Sequence, residues 1–209
     1  MNRIYLAFVL VAVMAAPLPP QWPNTWWANF REQTVDPTLG THNNVGTYYY
    51  NINLPAYRLD RSDGQYNPFC GVGGPYANIT TACNHYVVNG NRYMHFPQQN
   101  TCFFCCNAAQ GCGVLKANWM ADATYIDTEV HEGVQTYKWF KQGIAQDYLY
   151  ETVNSVPVNR VTISLYEEPA DYIDYGPRSL TLPANIFSLP SICTVSNPAN
   201  WGACQQIRG

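Results

Sequence analysis

Charge is what this sequence has least of. Asp, Glu, Lys and Arg together make up 12% of its 209 residues, where an ordinary soluble domain carries roughly a quarter. The formal balance is -3, so there is no basic footprint for nucleic acid and no cationic pull toward an anionic membrane surface. Beyond the N-terminus there is also no apolar run long enough to span a bilayer. Catalytic signatures are equally scarce. The chain has no Gly-x-Ser-x-Gly elbow and no phosphate-binding glycine loop. His131-Glu132 begins like a zinc-protease helix, but position 135 is Gln, so the second histidine is missing. The carboxylate pairs Asp60/Asp63 and Glu167/Glu168 read as solvated loop charges in preference to a glycosidase pair. The expectation is a protein that is not an enzyme and needs no cofactor and no metal.

What is present starts at the N-terminus. Arg3 precedes an apolar run over 4–14, followed by Ala15-Ala16 and by Pro17, Pro19 and Pro20. A run this short, ending in small residues, reads as a signal peptide over 1–16. The mature chain is then one domain over 17–209, with 17–45 as an N-terminal extension and 170–209 as a loop-rich C-terminal segment. The expected location is extracellular, or the lumen of a secretory or lysosomal compartment. Asn78-Ile-Thr80 is the single standard acceptor sequence for an N-linked glycan.

Export changes the meaning of the eight cysteines, Cys70, Cys83, Cys102, Cys105, Cys106, Cys112, Cys193 and Cys204. In an oxidising compartment an even count argues for disulfides, leaving no thiol for nucleophilic chemistry. Cys105 and Cys106 are adjacent, so each should reach a different partner. Cys70 with Cys83, and Cys193 with Cys204, could close short loops. Zinc would need a well-spaced second ligand pair, which the cysteines lack, although His85, His95 and His131 could complete a site. Cys102-x-x-Cys105 lacks the strand-then-helix setting of a redox motif.

The rest of the pattern is strand-like. Gly46-Thr-Tyr-Tyr-Tyr, Ala56-Tyr-Arg-Leu-Asp-Arg61, and four runs near 124–130, 134–140, 147–153 and 160–166 are short and separated by turn residues. Between His85-Tyr-Val-Val and Asn91-Arg-Tyr-Met-His-Phe96, the pair Asn89-Gly90 predicts a type I′ hairpin. A short helix is expected over 117–123. The fold class is therefore mainly β, an antiparallel meander. With 16 tyrosines and 6 tryptophans, such a sheet can present one aromatic face, which serves either as solid core or as a ligand-binding wall.

Several residues together resemble the ependymin-related secreted proteins and their protist relatives. These are Gly46-Thr-Tyr-Tyr-Tyr, Tyr57-Arg-Leu-Asp-Arg61 with Asp63-Gly64, a cysteine-rich centre, then Trp119, Tyr125, Gly133 and Trp139, and finally Asn185-Ile-Phe-Ser-Leu-Pro-Ser-Ile-Cys193. The resemblance implies a half-barrel like that of the bacterial lipoprotein carriers (LolA-like). One or two short helices would close a curved sheet around an apolar cavity for lipid or another hydrophobic small molecule, and a homodimer is common in the family. Candidates to line the cavity are Tyr48, Tyr50, Trp119, Tyr125, Tyr137, Trp139, Tyr148 and Tyr150. The other reading is an extracellular structural or adhesive protein that assembles with itself or with partner proteins.

Overall fold

The computed structural model describes residues 16–36, 40–131, 133–142, 146–153, 163–168 and 171–208. The expected signal peptide lies outside them apart from its last residue. Turn chemistry explains much of the path. Asn89 and Gly90 both take positive φ, 54° and 73°, which Asn and Gly adopt at little steric cost. They join β4 (Cys83–Val88) to β5 (Asn91–Phe96) as the expected hairpin. Upstream run β1 (Thr25–Asp36), β2 (Gly40–Asn51) and β3 (Ala56–Arg61); downstream run β6 (Thr101–Asn107), β7 (Thr124–His131), β8 (Val134–Gln142), β9 (Gln146–Thr152), β10 (Ile163–Glu168) and β11 (Asp171–Tyr175). A seven-residue helix, α1 (Gly202–Arg208), ends the chain.

The strands form one antiparallel sheet in the order β6-β5-β4-β3-β2-β1-β11-β10-β9-β8-β7. It is two meanders fused along the β1–β11 pair, with Phe30 opposite Tyr175. β6 and β7 follow one another in sequence yet lie at opposite edges, so the connection between them crosses one face of the sheet. Residues 17–45, expected as an extension, instead contain β1 and the start of β2, the centre of the sheet. β6 carries three of the clustered cysteines in a stretch not anticipated as a strand, and β11 lies in the segment read as loop.

Alternation sorts the side chains onto two faces. Trp26, Ala28 and Phe30 of β1 register with Tyr50, Tyr48 and Gly46 of β2, and these with Tyr57, Leu59 and Arg61 of β3. Gly46 has a packing reason: a Cβ there would stand 2.4 Å from the Phe30 ring and 2.0 Å from the Asp60 carbonyl oxygen. The Phe30 ring occupies the space a side chain would take. On the other wing Trp139 registers with Leu149 and Tyr125. Rings from both wings join one buried cluster with Met120 of the crossing connection, so the sheet curls around that face.

All eight cysteines are paired. Cys70 bonds Cys83, Cys102 bonds Cys193, Cys105 bonds Cys204 and Cys106 bonds Cys112. The adjacent Cys105 and Cys106 do reach different partners, whereas Cys193 and Cys204 bond β6 and not each other. Together they lay the C-terminal segment along the edge of the sheet. There Phe104 bridges to Pro198, its N–H donating to the Asn197 carbonyl at 2.8 Å. Arg208 of α1 donates to the Phe104 carbonyl at 3.2 Å and the Cys105 carbonyl at 2.5 Å. Among the described residues no helix is long and apolar enough to cross a membrane.

Candidate functional site on the concave face

The aromatic face is built from edge contacts. Trp22, from the segment before β1, meets Trp26 at 5.2 Å and 86°, Tyr50 at 5.4 Å and 89°, and Trp119 at 5.5 Å and 74°. Trp26 meets Tyr175 at 5.5 Å and 87°. Such T-shaped pairs contribute about 0.5–1.5 kcal/mol each beyond burial. Tyr125 packs on Trp139 at 5.6 Å on the far wing.

The connection over 114–123 closes this face. Its residues 117–123, expected as a helix, are successive turns held by i to i+3 bonds: Trp119 N–H to Lys116 O, Ala121 to Asn118, Ala123 to Met120. Four contacts fasten it. Trp22 N–H donates to Ala117 O at 2.9 Å, and Tyr50 Oη to Leu115 O at 2.8 Å. Lys141 Nζ of β8 donates to Trp119 O and, at 2.5 Å, to Asp122. Trp26 and Tyr50 are 0% exposed beneath it, so in this conformation the face is filled by the protein's own side chains.

Of the eight rings expected to line a cavity, Tyr48, Tyr50 and Trp139 are buried in this cluster, with Trp119, Tyr125 and Tyr137 packed against it. Tyr148 and Tyr150 are elsewhere: they register with Phe140 and Lys138 on the opposite face, where Tyr150 stacks on His131 at 4.0 Å. Sequence reasoning missed Trp22, Trp26, Phe30, Tyr57 and Tyr175, although the alternation Trp26-x-Ala28-x-Phe30 was available to find three strand positions.

No protein-family model matches the sequence, and no curated protein does. Solved structures similar to it include an uncharacterized conserved protein from Thermus thermophilus, 10% identical over 80% of this chain and 86% of that one, with a TM-score of 0.47. A LolA superfamily protein from Nitrosomonas europaea is 12% identical over 80% and 91%, with a TM-score of 0.37. A DUF1329 family protein from Desulfovibrio piger is 6% identical over 78% and 89%, with a TM-score of 0.35.

One cation sits among the rings. Arg178, 6% exposed, places its guanidinium 4.4 Å from the centre of Trp26 and 5.9 Å from that of Trp22. Ser179 exchanges backbone hydrogen bonds with Trp27, which fixes Arg178 over the concave side. Burial lowers the Arg178 pKa to about 10, partly offset by Glu151, Tyr175 and Tyr48. Burial raises the Tyr50 phenol to about 12 and pushes Tyr48 well above the usual tyrosine range, reinforced by Tyr175.

A polar cluster lies at the rim of the same face. Arg61 makes a bidentate pair with Glu32, Nε to Oε2 at 2.6 Å and Nη2 to Oε1 at 2.8 Å, both residues buried. Asn67 donates to the same carboxylate at 3.4 Å. His85 Nε2 stands 3.4 Å from Arg61 Nη1 and 3.0 Å from Cys70 Sγ. Burial, then the charges of Arg61 and Arg92, hold His85 well below the usual histidine pKa, so it is neutral.

Metal chemistry finds little here. Cys70, Cys83 and His85 cluster, as do Cys105, Cys106 and Cys112, but every one of these sulfurs is in a disulfide and offers no thiolate. The histidines considered as zinc ligands are dispersed: His85 and His95 are on adjacent strands but opposite faces, and His131 is on the edge strand β7. A groove of about 810 Å³ lies on the outer face, lined by Asn29, Arg31, Val45, Thr47, Asp60 and Asn84 among others. Its lining mixes hydrogen-bonding groups with apolar surface from Phe30, Val45, Ala82 and Pro97. Asn78 is exposed in a turn.

Proposed function

We propose that this protein is a secreted, non-enzymatic carrier that takes a hydrophobic ligand, a lipid or acyl chain, against the concave aromatic face. Membership among the ependymin-related proteins is part of that proposal. The observation that carries it is the nature of the cover. A solid core needs no removable wall, yet here the aromatic face is closed by a turn-built connection tied down at a few backbone carbonyls, not by a paired strand or a packed helix. Displacing the connection exposes rings contributed by strands of both wings. Each acyl methylene then buried contributes about 0.8 kcal/mol.

The test is native mass spectrometry and lipid extraction of protein purified from its own source, with titration of a fluorescent fatty-acid probe. Co-purifying lipid and saturable probe binding are expected. Reproducible absence of ligand together with no probe binding overturns the proposal.

A second reading, an extracellular protein that assembles with itself, is favoured by β7. This edge strand pairs only with β8 among the described residues, and it leaves Ile126 49% and Val130 69% exposed. An open, partly apolar edge is a template for strand addition. Val130→Lys should abolish any oligomer; a monomer at millimolar concentration removes this reading.

A further inference from the structure

The six tryptophans divide by location. The two outside the concave cluster are satisfied: Trp27 Nε1 donates to Thr181 O at 2.9 Å and Trp201 Nε1 to Phe69 O at 3.1 Å. The four belonging to it are not. The indole nitrogens of Trp22, Trp26, Trp119 and Trp139 are all buried with no acceptor, and so are Nε and Nη2 of Arg178. Buried polar atoms are hydrogen-bonded in the great majority of cases, and buried tryptophan normally finds a partner. Leaving such a group unsatisfied costs about 1–3 kcal/mol. Here every orphan in the aromatic cluster is a donor, one of them cationic, and no orphan acceptor lies among them to answer it. The Arg178 guanidinium forms no ion pair among the described residues; Glu151, the opposing charge that acts on it, does not reach ion-pair distance.

We infer that the concave face is built to receive an acyl-chain ligand with an oxyanion head, a fatty carboxylate, whose oxygens accept from Arg178 and from indole N–H groups while its chain lies along the rings. The inference rests on the carrier reading above and adds the chemistry of the head group. A guanidinium flanked by π faces suits this task, because its planar fork matches a carboxylate and its hydration is weaker than that of lysine. The hydroxyl or ester oxygen of an uncharged lipid can accept from one of these donors but brings no counter-charge to the guanidinium. The anion, with two acceptor oxygens and a charge, recovers more of the cost of the orphaned donors, and this favours the acid over an alcohol of the same length.

The experiment compares hexadecanoate with hexadecanol on the full mature protein, wild type and Arg178→Met. Affinity is read by displacement of a fluorescent probe, and the site by the indole N–H resonances. Hexadecanoate is expected to bind wild type at least tenfold more tightly than hexadecanol and to shift the resonances of Trp22, Trp26, Trp119 and Trp139 while leaving Trp27 and Trp201 in place. Arg178→Met should lose that preference and keep the affinity for hexadecanol, which also reports that the variant is folded. Arg178→Lys, which retains the charge without the fork, should keep part of the preference. Equal binding of both probes by wild type, or an undiminished preference in Arg178→Met, overturns the head-group assignment and leaves the carrier reading standing. Failure of both probes to bind wild type overturns the two together. Shifts confined to Trp27 or Trp201 place the ligand elsewhere and overturn the inference.

Discussion

Arg61 and Glu32 show what a single residue can decide in this protein. Each is nearly excluded from water, and each is tolerable only because the other is there: removing one partner of a buried pair typically costs about 3–5 kcal/mol, whereas replacing both by apolar groups is often close to neutral. Arg61→Met should therefore lower stability in urea by that amount, and Glu32→Leu with Arg61→Met should recover most of the loss. His85 beside them gives a pH signature. Its folded pKa is depressed, so below the unfolded value of about 6.5 the unfolded chain binds a proton that the folded chain refuses. Stability is fully present above that pH and falls as pH drops toward the folded pKa, by up to about 1.4 kcal/mol per unit. Melting between pH 7 and pH 5 should show this slope, and His85→Asn should reduce it to the smaller contribution of His95, whose pKa burial also lowers. The variant also separates the slope from that of Glu151, whose carboxyl burial raises. Neither partner of the ion pair was legible in the sequence. Glu32 sits in a polar run, Arg31-Glu32-Gln33-Thr34, in which only the alternation of β1 tells the inward residue from its neighbours.

At the scale of elements, the connection over 114–123 behaves as a cover only if it opens before the sheet does. Lys141→Met removes the side chain that holds Trp119 and Asp122. Hydrogen exchange of the 114–123 amides should quicken several-fold while those of β2 and β8 stay protected; uniform acceleration would mean that the connection is integral to the sheet. The strand reading succeeded where alternation and turn residues agreed, as at β3 and at the Asn89-Gly90 hairpin. It failed at β1, where Pro and Trp preceding the strand and Arg31 and Glu32 within it obscured the period. It failed at β6, where a bulge breaks the alternation: Cys102 and Phe104 share one face, but Cys106 pairs with Arg92 on the other, so the run shows no continuous period of two. The alanines of 117–123 favoured a helix by propensity, but the segment is fixed by what it covers, and turns let Trp119 and Met120 both face the rings.

The whole molecule is tied at its end. The Cys102–Cys193 and Cys105–Cys204 bonds span 91 and 99 residues, and a loop near 100 residues is associated with about 4–5 kcal/mol in the chain-entropy model. Cys193→Ser and Cys204→Ser together should lower stability by several kcal/mol and open the C-terminal segment to protease, with the remaining strands cut later. A denaturing, non-reducing thiol titration of the wild-type protein should return no free thiol. The mainly β class, the disulfide role of the cysteines and part of the aromatic face could be read from the residue pattern. The pairing of Cys193 and Cys204 could not, because it depends on β6 and the C-terminus meeting at one edge, a contact between segments far apart in the chain.

The β1–β11 pair carries a consequence in time. Nine of the ten strand pairings join sequence neighbours, so each meander can zip up through local hairpins, but the seam must bring Phe30 to Tyr175 across most of the chain. Loop closure of that length is slow relative to hairpin formation. The two meanders are thus expected to form first and the seam through β1 last, which pulse-labelled hydrogen exchange during refolding checks. The aromatic face, with rings drawn from both sides of that seam, does not exist until it closes.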